Sequence, residues 1–169
     1  MGFQSTVRID QTDAVVGEVR FGSPMSVQPA NLLSTAQANN VVGRAFQHVP
    51  ASDLDVTADA QAAGIFAGIL IHPKAYALVG TTVGTLEASL QINNNTTVEL
   101  LTQGTITVSL ATAGNIGDFV YYNFSTGVLS AAAPTANAPA GTTRLPGGFV
   151  TRQNIPTAGL AYIKVGVVA

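Results

Sequence analysis

Apolar and polar residues alternate along this chain in short runs separated by glycine and proline, and no sustained helical period is present. Between Thr105 and Leu110, Ile106, Val108 and Leu110 fall on one side and Thr105, Thr107 and Ser109 on the other, which predicts a strand with a core face and a polar face. Leu86, Ala88, Leu90 and Ile92 alternate with Glu87, Ser89 and Gln91. Asn93-Asn94-Asn95 then supplies residues that tolerate left-handed turn geometry before Val98 to Leu101, so this stretch predicts a hairpin. A second hairpin is predicted where Phe119 to Tyr122 and Val128-Leu129 flank Asn123 to Gly127, with Gly127 taking the positive φ that closes a longer β-turn. Ala161, Ile163, Val165 and Val167 read as a C-terminal strand, and Phe66 to Ile71 as a continuous apolar run of the kind buried on both faces. The predicted fold class is all-β: a compact β-barrel or jelly-roll-like sandwich, two topologies that strand counting leaves open.

Two stretches break this pattern. Residues 131–141 are small, uncharged and punctuated by Pro134 and Pro139, which predicts an extended surface excursion rather than a helix. Near the N-terminus, extended-looking sequence is broken at Pro24 and Pro29. It predicts an N-terminal arm and extended segment over residues 1–50, followed by the β domain over 51–169. Within the first 25 residues Val7 and Ile9 alternate with Arg8 and Asp10, and Val15, Val16 and Val19 with Phe21 form a second apolar stretch. Both are too small to be domains and need a partner surface to bury against.

Composition narrows the function classes. The 169 residues amount to about one domain, and a hydrophobic content of 47% excludes a disordered polyelectrolyte. Charged residues are only 9%, against roughly 25% in an ordinary soluble domain, so Thr, Ser, Asn, Gln, Gly and Ala must cover much of a surface better suited to contact than to free solution. Arg8, Arg20, Arg44, Lys74, Arg144, Arg152 and Lys164 are scattered singly within a net charge of −2, which argues against nucleic acid as a partner. Without cysteine there is no disulfide framework, thiolate metal site or cysteine nucleophile. The most apolar run, Ala60 to Ile71, is well short of the roughly 20 residues that span a bilayer, and the N-terminus lacks an apolar signal core. The expectation is a soluble protein with no membrane partner.

Candidate chemistry is sparse. Asp53, Asp55 and Asp59 are the nearest approach to a carboxylate cluster, but Ala58 stands where a calcium loop wants Gly and Gly64 where it wants Glu, so they read as a solvated acidic loop. His48 and His72 lack Cys, Asp or Glu at zinc-ligand spacing and read as loop-edge histidines. No G-x-S-x-G elbow occurs. Glu87, Glu99 and Asp118 are scattered, and Gly80 to Gly84 lacks the Gly-Lys-Ser/Thr ending of a phosphate loop. Met1-Gly2 and the Asn-x-Ser/Thr triplets at Asn94, Asn95 and Asn123 match acylation and glycosylation patterns short enough to arise by chance. The expectation is a protein without enzyme activity, cofactor or metal.

Several longer stretches carry a resemblance. They are Phe3-Gln4-Ser5-Thr6-Val7, Val15-Val16-Gly17-Glu18, Asn39-Asn40-Val41-Val42-Gly43-Arg44-Ala45-Phe46, Phe66-Ala67-Gly68-Ile69-Leu70 and Pro73-Lys74-Ala75-Tyr76-Ala77-Leu78. Gly117-Asp118-Phe119-Val120-Tyr121-Tyr122 with Thr126-Gly127-Val128-Leu129-Ser130, and Ala138-Pro139-Ala140-Gly141-Thr142-Thr143, follow in order. Together they resemble the structural cement protein family of tailed bacteriophages, over nearly the whole chain. The resemblance implies a virion protein on the outer surface of the icosahedral head that clamps neighbouring major capsid protein subunits. It also implies association with further copies of itself, as a trimer at three-fold or quasi-three-fold positions. Another virion module, such as a tail or fibre adaptor or a carbohydrate-binding head protrusion, is the alternative.

That family brings no catalytic motif to carry over, so contact residues follow from physical argument alone. Arg is enriched and Lys depleted at interfaces, and residues 1–50 hold Arg8, Arg20 and Arg44 but no Lys. With Phe3, Val7, Ile9, Val19 and Phe21 they are the expected partner-interface residues, Phe3 and Phe21 as pocket anchors. Phe46, flanked by predicted strand, is expected in the core.

Overall fold

The structure is a computed structural model that describes residues 15–20, 24–50, 52–72, 91–152 and 155–166. The described residues form nine strands: β1 (Ser26–Leu32), β2 (Ala45–His48), β3 (Asp55–Thr57), β4 (Phe66–Leu70), β5 (Thr97–Leu110), β6 (Phe119–Asn123), β7 (Leu129–Ala132), β8 (Thr142–Arg152) and β9 (Gly159–Val165). One 3-10 turn, Gln37–Asn39, is the only helical element among them. The all-β class expected from the alternation is what the chain adopts.

The strands join in the order β1-β3-β2-β4-β5-β7-β6-β8-β9, and both β1 and β9 also pair with β5. The sheet therefore closes on itself as two five-stranded circuits that share β5. Its N-terminal half pairs with β1 and β4, as in Val98 opposite Ala30 and Leu101 opposite Ile69. Its C-terminal half pairs with β9 from Gly104 to Leu110, and Leu110 meets Leu129 of β7. Val98 to Leu101 and Thr105 to Leu110, separate runs in the sequence, are thus one strand of 14 residues.

Each circuit encloses a core. Leu32, Phe46, Val56, Leu70, Ile92 and Leu100 fill the first. Ile106, Val108, Leu110, Val120, Tyr122, Leu129, Leu145, Val150 and Ile163 fill the second, joined by Ala45 of β2, Ile69 of β4 and Leu101 of β5. This explains the continuous apolar run at β4: Ala67 and Leu70 pack into one core and Ile69 into the other. Residues 26–48, expected within the extended segment over 1–50, provide β1 and β2 of the first circuit, with Phe46 fully buried.

The second hairpin forms as expected, β6 against β7 with Tyr122 opposite Leu129 and Gly127 at φ +68°. The first hairpin's residues 86–90 lie outside the described ones. Gln91 bridges to Val41 and the Ile92 amide donates to the Asn40 carbonyl, so the chain meets the 40–41 turn here. Asn94 ties the same region together: its Oδ1 accepts from the Ser34 amide and from Asn40 Nδ2, and its Nδ2 donates to the Ser34 carbonyl. Asn95 then takes the positive φ expected of this turn. Residues 133–138 are exposed, a surface excursion as expected, while Ala131 and Ala132 belong to β7.

Of the expected polar face of β5, Ser109 is exposed and Thr105 half-buried, while Thr107 is 1% exposed. Residues 15–20 run along the strand as a strap. The Gly17 amide donates to the Thr107 carbonyl (2.8 Å), the Thr107 amide to the Glu18 carbonyl (3.0 Å) and the Arg20 amide to the Thr105 carbonyl (2.9 Å). Val19 packs against the second core and Val16 against the first. Val16 and Val19 are thus partly buried on the chain's own surface, held there by backbone bonds to β5, while Val15 stays exposed and Phe21 lies outside the described residues.

Candidate interaction surface

Of the expected contact residues, Phe3, Val7, Arg8, Ile9 and Phe21 lie outside the described residues. Val19 and Arg20 are brought together on the strap, Val19 inward and the Arg20 guanidinium over the Tyr162 ring, 3.9 Å from its centroid. Arg44 is elsewhere. Its Nη1 donates to Asn39 Oδ1 (2.9 Å) and to the Thr126 carbonyl (3.1 Å), tying the 39–44 loop to the β6–β7 turn. Burial lowers the pKa of this guanidinium from its ordinary value.

Strand register assembles a face that reading the chain residue by residue misses. Phe119 of β6 stands opposite Phe149 of β8, Phe149 opposite Lys164 of β9, and Arg152 opposite Tyr162, so these side chains project to one side of the sheet. The Arg144 guanidinium lies 3.5 Å from the centroid of the Phe119 ring. Arg144, Arg152 and Lys164 are exposed, and with Arg20 they make a basic, aromatic face on the second circuit. Such stacking is worth about 0.5–1 kcal/mol at exposed sites and presents the guanidinium edge to a partner. The sequence signal is the alternation in Tyr162-Ile163-Lys164-Val165, whose inward half alone was informative before the cross-strand partners were known.

The β2–β3 and β3–β4 connections of the first circuit have a different character. A half-open cavity of about 490 Å³ is lined by His48, Val49, Pro50, Asp53 and Ile65 among others. Ile65 is 76% and neighbouring Leu54 63% exposed. The three aspartates expected as one solvated loop divide here. Asp53 is exposed, while Asp55 accepts from Asn31 Nδ2 (2.8 Å) and Ser52 Oγ (2.9 Å), bonds that hold its carboxyl below the usual range. Asp59 is 4% exposed and accepts from the amides of Thr35 (3.0 Å) and Ala36 (2.6 Å) and from the Thr57 hydroxyl, so it is a buried cap. No group of three or more His, Cys, Asp or Glu among the described residues is placed to hold a metal ion.

A family model described as Structural cement protein (E217 gp24/Pam3 gp6) matches residues 3–166. The chain belongs to the phage structural cement protein family. A chain from the capsid of Myoviridae phage XM1 shares the fold of this cement protein, with a TM-score of 0.64 over 98% of both chains at 19% sequence identity. No curated protein matches the sequence. Membership makes this a structural, capsid-associated phage protein and implies a role without catalysis.

Proposed function

We propose that this cement protein binds the outer surface of the icosahedral head and holds neighbouring major capsid protein subunits together, with copies associating as trimers. The observation that carries the reading is the family match, which extends over residues 3–166 and so takes in the N-terminal stretch. A surface with 9% charged residues suits contact, and many copies of a modest interface stabilise a shell because each further link is effectively intramolecular. Phe3, Val7, Arg8 and Ile9 precede the strap that is anchored on β5, which fits an arm reaching a neighbouring subunit by strand addition. Val19, Arg20 and Phe21 follow in sequence and belong to the same proposed contact set.

The test mixes undecorated mature heads with the full chain and with a chain lacking residues 1–14, a cut that spares the Gly17 to Arg20 bonds to β5. Bound copies per shell and the capsid melting temperature are read. Saturation at a fixed ratio to capsid subunits with raised melting, both weakened by the cut, is the expected result. Folded full-length protein that leaves the heads unbound overturns the reading.

A further inference from the structure

The two circuits carry opposite charge. In the first, residues 24–72 and 91–103 hold exposed Asp53 and Glu99, half-buried Asp55 and buried Asp59 against Arg44 alone. In the second, residues 15–20, 104–152 and 155–166 hold Arg20, Arg144, Arg152 and Lys164 against Glu18 and Asp118. The basic set is exposed or half-exposed and interleaved with Phe119 and Phe149. The first circuit carries the cavity, with apolar walls at Val49, Pro50 and Ile65 and with His48 and exposed Asp53 in its lining. One circuit therefore offers a recess with a carboxylate, and the other offers cations on aromatic rings.

We infer that the basic, aromatic face of one copy seats against the acidic cavity end of the next, a head-to-tail contact between cement protein copies. Charge complementarity selects the occupant. The chain itself presents both halves of the match, and a like pairing of two basic faces or two acidic ends sets like charges together. Ile65 and the aromatic rings supply the apolar area that leaves water, while Asp53 opposite Arg144 or Arg152 fixes the register. A heterologous contact of this kind closes into a ring if its rotation allows. The inference rests on the proposed association of copies and names the surfaces that make it.

Two variants test it, each broken at one end. The first carries Asp53→Arg and Ile65→Ser, and the second Arg144→Glu and Arg152→Glu; all four positions are exposed, so unchanged melting verifies the fold. Sedimentation of the full chain is expected to show self-association that weakens with salt and falls about tenfold or more in either variant. Mixing the two variants is expected to restore a 1:1 dimer, because each retains the half the other lacks. A wild-type chain that stays monomeric up to about 1 mM overturns the inference. So does a mixture that forms no dimer. Head binding, measured separately, keeps the readings apart: a monomer whose head binding is abolished by Arg144→Glu and Arg152→Glu assigns the basic face to the capsid, which overturns the head-to-tail contact while the cementing reading stands. Self-association without head binding does the reverse.

Discussion

Asp59 Oδ2 accepts the Ala36 amide at 2.6 Å and so joins the end of β3 to the start of the 3-10 turn, 23 residues earlier in the chain. Its other oxygen takes the Thr35 amide and the Thr57 hydroxyl. Truncation leaves those donors unpaired in a buried site. Asp59→Ala is expected to destabilise the fold by about 2–4 kcal/mol, read as a lower urea midpoint at unchanged slope. An unchanged midpoint contradicts the capping role.

The same carboxylate sets an acid limit. Burial pushes the Asp59 carboxyl up, but donation from Thr57, Ala36, Thr35 and Asn39 outweighs it and holds the group below its ordinary value. A depressed folded pKa contributes stability that is fully present above the unfolded value of about 3.9 and is lost as pH falls through the folded one. Stability is thus expected to drop below about pH 4. In Asp59→Asn that part of the pH slope disappears, which urea titrations at pH 2 to 6 would reveal.

How much of this was legible beforehand depends on the distance between partners. The alternation at Thr105 to Leu110 and the Gly127 turn are local signals, and both hold. Val98 to Leu101 and Thr105 to Leu110 read as separate runs, yet the pairing of Gly104 with Val165 carries β5 straight from one to the other. Asp59 reads as solvated because its donors lie at Thr35 and Ala36, and nothing local announces them. The basic face is invisible for a related reason: Phe119, Phe149 and Lys164 become neighbours only through the register of three strands. Arg44 is expected at an interface by residue type, and the bonds that its Nη1 makes to Asn39 and Thr126 within the chain have no local signal.

Gly127 joins the two halves. Its carbonyl accepts the Ala45 amide at 2.9 Å, and a Cβ added at its φ of +68° would stand 2.5 Å from the Ala45 carbonyl oxygen. Gly127→Ala must therefore either adopt an unfavourable left-handed conformation against backbone or release the turn from β2. The expected loss is about 2–4 kcal/mol, with lowered melting temperature as the readout. A neutral substitution rules out the close approach.

Arg20 shields Tyr162, which is only 7% exposed beneath it. Arg20→Met keeps most of the apolar cover and removes the charge, so the expected cost is about 0.5–1 kcal/mol. In a Tyr162→Leu background that cost should vanish. Equal losses in both backgrounds would show that the guanidinium gains nothing from the ring.

The strap gives the sharpest local test, because one amide reports on it. Thr107 N–H donates to the Glu18 carbonyl, whereas the neighbouring Ile106 pairs with Ile163 of β9. Gly17 sits at φ +82°, and a Cβ there would collide with Val42 Cγ1 and lie 2.8 Å from the His72 backbone nitrogen, the group that donates to the Gly17 carbonyl. Gly17→Ala is therefore expected to lift the strap while both cores persist. Hydrogen exchange at Thr107 should accelerate about tenfold or more, with exchange across the rest of the β5–β9 ladder unchanged. Uniform acceleration along that ladder would instead mean that the strap is integral to the second circuit and opens only with it.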